Sequence, residues 1–267
     1  LATTEENNYF GKAPMAEPSA NEHRFGEPVT GLRQQPGGPD ITIRHFQTLG
    51  AGLAAVWAKD NTREALWDAL NRKEVYATTG TRMTVRVFAG WDFEEDEVQR
   101  PDFAATGYLR GVPMGGDLRD APQGKAPTFV IRALRDVDGA NLDRVQIIKG
   151  WMDSKGKLHE QVYDVLCSDD RAINKQHRCA KPVGNTVDIE KATYTNSIGD
   201  ALMLAWWKDP AFDPAQRAFY YVRVLEIPTP RWTTYDAAFF GVDLPEGVEP
   251  THQERAYTSP IWYTPKD

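Results

Sequence analysis

Alternating apolar and polar positions dominate the chain from residue 81 onward. Met83, Val85 and Val87 recur at every second position, which is the spacing of a half-buried β-strand. Six further β-branched or aromatic runs follow, at residues 128–134, 144–149, 161–166, 201–207, 219–227 and 261–264. Turn residues separate these runs, as in Asp138-Gly139. The pattern predicts a mainly β fold, an antiparallel β-sandwich, over residues 81–267.

One segment before residue 81 has helical periodicity instead. Four residues share one face at helical spacing: Ala65, Leu66, Ala69 and Leu70. Asn61 is the expected N-cap, and Glu64 three residues later would complete a capping box. This apolar face needs a partner, and we expect the helix to complete an α/β barrel whose other elements lie upstream.

The first fifty residues are rich in Pro, Gly and Asn and predict an irregular arm. Arm and helix together make up a first part, residues 1–80, which we interpret as the end of a barrel.

Composition limits the classes of partner. The chain has 267 residues, 41% of them hydrophobic, and a net charge of −7. An acidic balance argues against a nucleic-acid binder and against an anionic membrane surface, because both require a basic face. No apolar run approaches the ~18 residues of a membrane helix, so we expect no membrane span.

Several longer motifs carry a resemblance to a known family. They lie at residues 57–70, 72–82, 147–151, 183–188, 218–232 and 254–265. Together they resemble the large bacterial proteins grouped as domain of unknown function 3604, over nearly the whole chain. That family is similar to the polymerase and histidinol phosphatase superfamily, whose members use a metal-dependent, phosphoesterase-like barrel.

The resemblance implies that the metal ligands lie upstream of Leu1. Family members carry His-x-His and other ligand motifs there, and a last Asp-x-His would come just before this sequence, which has no initiator Met. We therefore expect the C-terminal part of an exported metal-dependent hydrolase, whose partner is the upstream barrel of the same polypeptide. A divalent metal would belong to the full-length protein, with none held by this chain alone. The alternative is a non-catalytic binding or assembly module.

Cys167 and Cys179 flank a polar, irregular segment. Three interpretations are open: a disulfide, two free thiols, or a metal site that includes His177. We expect the disulfide, because it would close a polar loop that has little core of its own. The spacing matches no common zinc pattern. A disulfide indicates an oxidising compartment, here the bacterial periplasm, and the family resemblance points the same way.

Candidate substrate-facing residues are few, and we assign no catalytic residue and no metal ligand. Glu5 and Glu6 either assist the upstream metal site or lie in a solvated loop. His45, in a strand-like run, is the histidine to examine for a pocket. Three arginines either recognise a small anionic substrate or form structural ion pairs: Arg82, Arg223 and Arg231.

The chain also contains eight tryptophans. Trp206, Trp207 and Trp232 could stack on a sugar or anchor a core. Trp206 and Trp207 point to opposite faces of a regular strand, so one of them needs cover. We expect that cover from the upstream barrel or from a second copy in a homo-oligomer.

Overall fold

The computed structural model describes residues 29–32, 41–43, 52–244 and 247–266. Its strands, in chain order, are β1 (Val29–Leu32), β2 (Ile41–Ile43), β3 (Leu53–Val56), β4 (Val75–Thr78), β5 (Thr84–Gly90), β6 (Gly111–Pro113), β7 (Asp117–Arg119), β8 (Thr128–Leu134), β9 (Leu142–Met152), β10 (Leu158–Cys167), β11 (Leu202–Lys208), β12 (Ala218–Glu226), β13 (Thr229–Pro230), β14 (Thr251–His252), β15 (Arg255–Thr258) and β16 (Ile261–Thr264). Its helices are α1 (Arg63–Asn71), a 3-10 helix (Glu95–Val98), α2 (Phe103–Arg110) and α3 (Trp232–Phe240).

Two sheets make up most of this fold. The larger has the order β10-β9-β12-β15-β4-β3, with β16 beside β12 and β7 beside β16. The smaller has the order β11-β8-β5-β6. Neighbouring strands are antiparallel, apart from the parallel pair β7 and β16. The predicted mainly β, antiparallel sandwich is confirmed.

The core lies between the two sheets. Val85, Ile131 and Met203 of the smaller sheet share one buried cluster with Ile147 and Val222 of the larger sheet. Each of these side chains is at most 2% exposed. Burying one such side chain contributes about 1.5–3 kcal/mol, so the alternating inward positions supply the main stabilisation of the sandwich.

The chain divides into two compact units. The sandwich unit contains Gly52–Asn185, Asn196–Ile227 and Gln253–Asp267, and the other unit contains Leu1–Ala51, Thr186–Thr195 and Pro228–His252. Strands β3 and β4, on either side of α1, belong to the larger sheet. The boundary expected at residue 80 stays a prediction.

No helix in the described residues combines the length and apolar character that a membrane span requires.

Helix α1 is present, but its N-cap is Thr62, so the predicted cap at Asn61 is wrong. Thr62 has extended backbone angles, and its Oγ1 accepts the N–H of Ala65 at 3.2 Å. Glu64 then lies in the first turn, too early for a capping box. Of the predicted apolar face, Ala69 is buried whereas Leu70 is 51% exposed. Packing of this face on an upstream barrel stays a prediction.

The two adjacent tryptophans of β11 are each half-buried by residues of this chain, so neither requires an outside partner for that cover; contact with a barrel or a second copy stays a prediction. Trp206 packs against a small cluster that includes Phe93 and Phe103, and its Nε1 donates to the Phe93 carbonyl at 2.8 Å. Trp207 faces the main core, with its ring centroid 5.6 Å from that of Phe129. Sequence reasoning missed this cover because it overlooked helix α2.

Glu226, the last residue of β12, carries a carboxyl group that is buried at 1% exposure. Burial raises the pKa of Glu226 to about 8, and the nearby carboxylates of Glu254 and Asp136 act in the same direction. The group is therefore protonated at neutral pH in the folded protein.

We predict that the Glu226 carboxyl group makes the free energy of unfolding decrease as pH rises from about 4.5 to about 8. The unfolded chain releases the proton near the ordinary value of 4.5, whereas the folded chain keeps it to about 8. The free energy of unfolding should therefore fall between those two pH values. Glu226→Gln should flatten this slope in urea denaturation at several pH values, and exposed Glu190→Gln should not. An unchanged slope in Glu226→Gln would contradict the assignment.

Candidate anion-binding site

A pocket of about 330 Å³ opens on the larger sheet and is lined mainly by cationic side chains. Strand β9 contributes Arg144 and Gln146, β10 contributes Asp164, and β12 contributes Arg223. The segment after β10 supplies the remaining lining residues, which are Arg171, Arg178, Cys179, Lys181 and Pro182. We call this feature the arginine pocket.

Strand register brings three of the lining residues into one row. Asp164 pairs with Gln146, and Gln146 pairs with Arg223 on the opposite side. Cross-strand partners project from the same face of a sheet. The neighbours of Arg223 in β12, Val222 and Val224, are buried in the core. The row therefore lies on the face of the sheet that points away from the core.

Hydrogen bonds fix the row and leave donors for a ligand. Gln146 is 4% exposed; its Nε2 donates to Asp164 Oδ1 at 2.5 Å, and its Oε1 accepts from Arg223 Nε at 2.6 Å. The two terminal nitrogens of Arg223 have no hydrogen-bond partner among the residues described. Arg223 is thus held through one nitrogen while its fork of donors remains available.

Two buried carboxylates hold the other arginines. Asp143, with no exposed surface, accepts hydrogen bonds from Arg144 and Arg171. Nη1 of Arg171 also donates to the Lys181 carbonyl at 3.0 Å. Asp164, 5% exposed, lies 3.6 Å from Nη1 of Arg178. Arg171 is therefore tightly held, whereas Arg178 makes one long ion pair.

Charge in the pocket is not balanced. Its lining contains four arginines and one lysine, whereas two carboxylates, Asp143 and Asp164, lie within or behind it. This leaves an excess of three positive charges in a chain whose net charge is −7. A local field of this sign attracts anions even when the whole protein is acidic.

A disulfide between Cys167 and Cys179 closes the wall of the pocket, as predicted, with the two Cα atoms 6.0 Å apart. The N–H of Cys179 donates to Asp164 Oδ2 at 2.7 Å, which ties the bridge to the row across the sheet. The alternative of a metal site at these cysteines is wrong. Asp164 and the two sulfurs lie close together, but bonded sulfurs offer no thiolate ligand.

The residues predicted to face substrate have different locations. Arg223 lines the arginine pocket. Arg82 is exposed, and its backbone N–H donates to Asp136. Arg231 precedes α3, and its N–H donates to the Pro250 carbonyl. Neither Arg82 nor Arg231 lines the pocket, and their contact with substrate stays a prediction. Glu5, Glu6 and His45 lie outside the described residues.

Sequence reasoning did not identify Arg144, Arg171, Arg178 or Lys181. Arg144 lies far from the other three in the chain, and only strand pairing and the disulfide bring all four together. One signal was present in the sequence, since three of them lie in or beside the segment that the cysteines enclose.

Comparison with protein families matches residues 1–265 to the model described as protein of unknown function (DUF3604). The chain belongs to the DUF3604 family. Comparison with curated proteins and with solved structures gives no match. The family resemblance expected from the motifs is therefore confirmed, and the chemistry of this DUF3604 protein has to be argued from its own geometry.

Removing the disulfide should destabilise this DUF3604 protein. The bridge closes a loop with a sequence separation of 12 residues. We expect the Cys167→Ser, Cys179→Ser double variant to lose about 3 kcal/mol of unfolding free energy in urea titrations. Reductant should lower the wild-type denaturation midpoint and leave the double variant unchanged. Equal midpoints for wild type and variant under oxidising conditions would contradict a stabilising bridge.

Proposed function

We propose that the arginine pocket binds the anionic group of a small substrate, and that the protein is part of an exported, metal-dependent, phosphoesterase-like hydrolase. The observation that supports binding is the excess of positive charge in a pocket whose arginines are already oriented. Guanidinium groups pair with phosphate, sulfate or carboxylate oxygens through two parallel N–H donors.

The unequal hydrogen bonding of the arginines supports the same proposal. Arg171 has its donors used within the protein, by Asp143, Ser168 and Lys181. Arg178 and Arg223 retain donors that have no partner in the described part of the chain. Cations held near one another repel, and an anion between them removes that cost. We therefore assign anion contact to Arg178 and Arg223 and a supporting role to Arg171.

The chain belongs to the DUF3604 family. The hydrolase part of the proposal rests on the resemblance of that family to the polymerase and histidinol phosphatase superfamily. A divalent metal does not fit the described residues, because the one group of close ligand atoms consists of Asp164 and the two bonded cysteines. Metal ligands would have to come from elsewhere in the polypeptide. In this arrangement the pocket would anchor the substrate away from the reacting bond and use binding energy for orientation.

The disulfide supports export as well, because such bonds persist in oxidising compartments such as the bacterial periplasm. A non-catalytic binding module is the alternative function. It would use the same pocket, and the two functions differ in their requirement for metal.

We predict that the full protein, isolated from its native source, hydrolyses a nitrophenyl ester of phosphate or sulfate. Chelation with EDTA should abolish the activity, and a divalent cation should restore it, because the cation would activate water. The measurement is nitrophenolate release across a panel of Mg²⁺, Mn²⁺ and Zn²⁺. If the protein binds anions but hydrolyses neither ester with any of these metals, the proposed enzymatic activity is contradicted. The non-catalytic binding module would then be the remaining function.

Loss of the available arginine donors should weaken anion binding. We expect Arg223→Gln and Arg178→Gln each to reduce the affinity for inorganic phosphate and sulfate at least about tenfold, since a hydrogen bond to a charged group contributes ~1.5–3 kcal/mol. Isothermal titration calorimetry measures this change. Arg119→Gln is the matched control, because Arg119 is exposed, lies outside the pocket and is 3.8 Å from Asp117. Equal affinities in all variants would contradict the pocket.

A further inference from the structure

A second open groove, of about 500 Å³, lies at one end of the larger sheet. Its floor is aromatic: Phe219 of β12 and Trp262 of β16 face it, with ring centroids 5.3 Å apart and planes tilted by 52°. Trp262 is 43% exposed. We call this pair the aromatic platform.

The platform is built by the register of three strands. Gly150 of β9 pairs with Phe219, and Phe219 pairs with Trp262. The Phe219 ring covers Gly150 so closely that a Cβ on that residue would lie 2.3 Å from a ring carbon. Glycine is therefore needed for the ring to lie over the strand. A bulky side chain at residue 150 would push Phe219 outward and break the platform.

Alternation along β12 connects the platform with the arginine pocket. Phe219, Tyr221 and Arg223 occupy every second position and are half-buried, whereas Tyr220 and Val222 between them are buried in the core. All three outer residues therefore lie on one face of the sheet. Arg223 lies four residues after Phe219, which corresponds to about 14 Å along the strand. One face thus offers aromatic rings at one end and arginine donors at the other.

Polar groups lie around the rings of the groove. Glu160 of β10 pairs with Gly150, is exposed and lies on the same face as Phe219. The stacked pair of His159 and Trp151 lies on the other face, since Trp151 pairs with the core residue Ala218. Arg217 is exposed on the rim. A sugar ring has an apolar face of C–H groups and hydroxyls around its edge, so rings flanked by polar side chains match its chemistry.

The geometry points to an acidic saccharide as the ligand, and this inference rests on the proposed function of the arginine pocket. A sugar ring would stack on Phe219 and Trp262, while a sulfate, phosphate or carboxylate group of the same molecule would bind Arg223 and Arg178. Phe219 and Trp262 touch each other at an angle and form a one-sided platform. That arrangement suits a saccharide better than a nucleotide base, which would be enclosed between two parallel rings.

The test compares probes on the full protein by isothermal titration calorimetry. They are a chondroitin sulfate oligosaccharide, a hyaluronan oligosaccharide with carboxylates alone, a neutral cello-oligosaccharide, AMP, and inorganic sulfate and phosphate. We expect an acidic oligosaccharide to bind more tightly than both the neutral one and AMP. The acidic oligosaccharide that binds more tightly shows whether sulfate or carboxylate is the anionic group recognised.

Trp262→Ala should weaken the binding of the acidic oligosaccharide about tenfold, because it removes the exposed ring on which the sugar would stack. It should leave the binding of inorganic sulfate and phosphate unchanged. Trp262→Phe should restore most of the affinity, which separates stacking from misfolding. Trp67→Ala, another exposed tryptophan but on α1, is the matched control.

Any of three results would contradict the proposal of an acidic saccharide ligand. They are equal affinity of Trp262→Ala and wild type for the acidic oligosaccharide, a neutral oligosaccharide bound as tightly as an acidic one, or AMP bound most tightly. In each case intact binding of inorganic anions, weakened by Arg223→Gln, would leave the arginine pocket standing. Failure of the inorganic anions themselves to bind would overturn the proposed function together with the saccharide.

Discussion

The register of strand β12 is the constraint on which both the core and the candidate site depend. Its inward residues, such as Val222 and Val224, fill the space between the two sheets, and its outward residues include Phe219 and Arg223. A shift by one residue would turn arginine into the core and valine into solvent. Because β9 pairs along the whole length of β12, packing of the core also fixes the spacing of the outer face.

Buried carboxylates orient the arginines on that outer face. Asp143 and Asp164 are buried and accept hydrogen bonds from groups on several segments, so the arginines they contact are oriented before any ligand arrives. Removing carboxylates from water is costly and is tolerated when partners surround them. The disulfide also restrains the segment that forms the wall of the pocket. Orientation before binding lowers the entropy that a ligand must lose.

All seven strands that the sequence predicted are present, because alternation is a local signal, whereas shorter strands such as β3, β4 and β15 were not predicted. Two helices were not predicted. Helix α2 contains Gly107, where a Cβ would lie 2.4 Å from the Phe88 ring, and α3 lacks a side-chain cap. Both depend on tertiary packing rather than on helix signals. The arginine pocket escaped prediction for a related reason, since Arg144 and Arg223 meet only through strand pairing.

The central claim is that the arginine pocket binds an anion. Its most direct test is a crystal structure of the full protein with selenate, a sulfate analogue located by anomalous scattering, at about 0.15 M chloride. The account predicts selenate within hydrogen-bond distance of the terminal nitrogens of Arg223 and Arg178. Selenate bound elsewhere on the protein, with none between these two arginines, would contradict it.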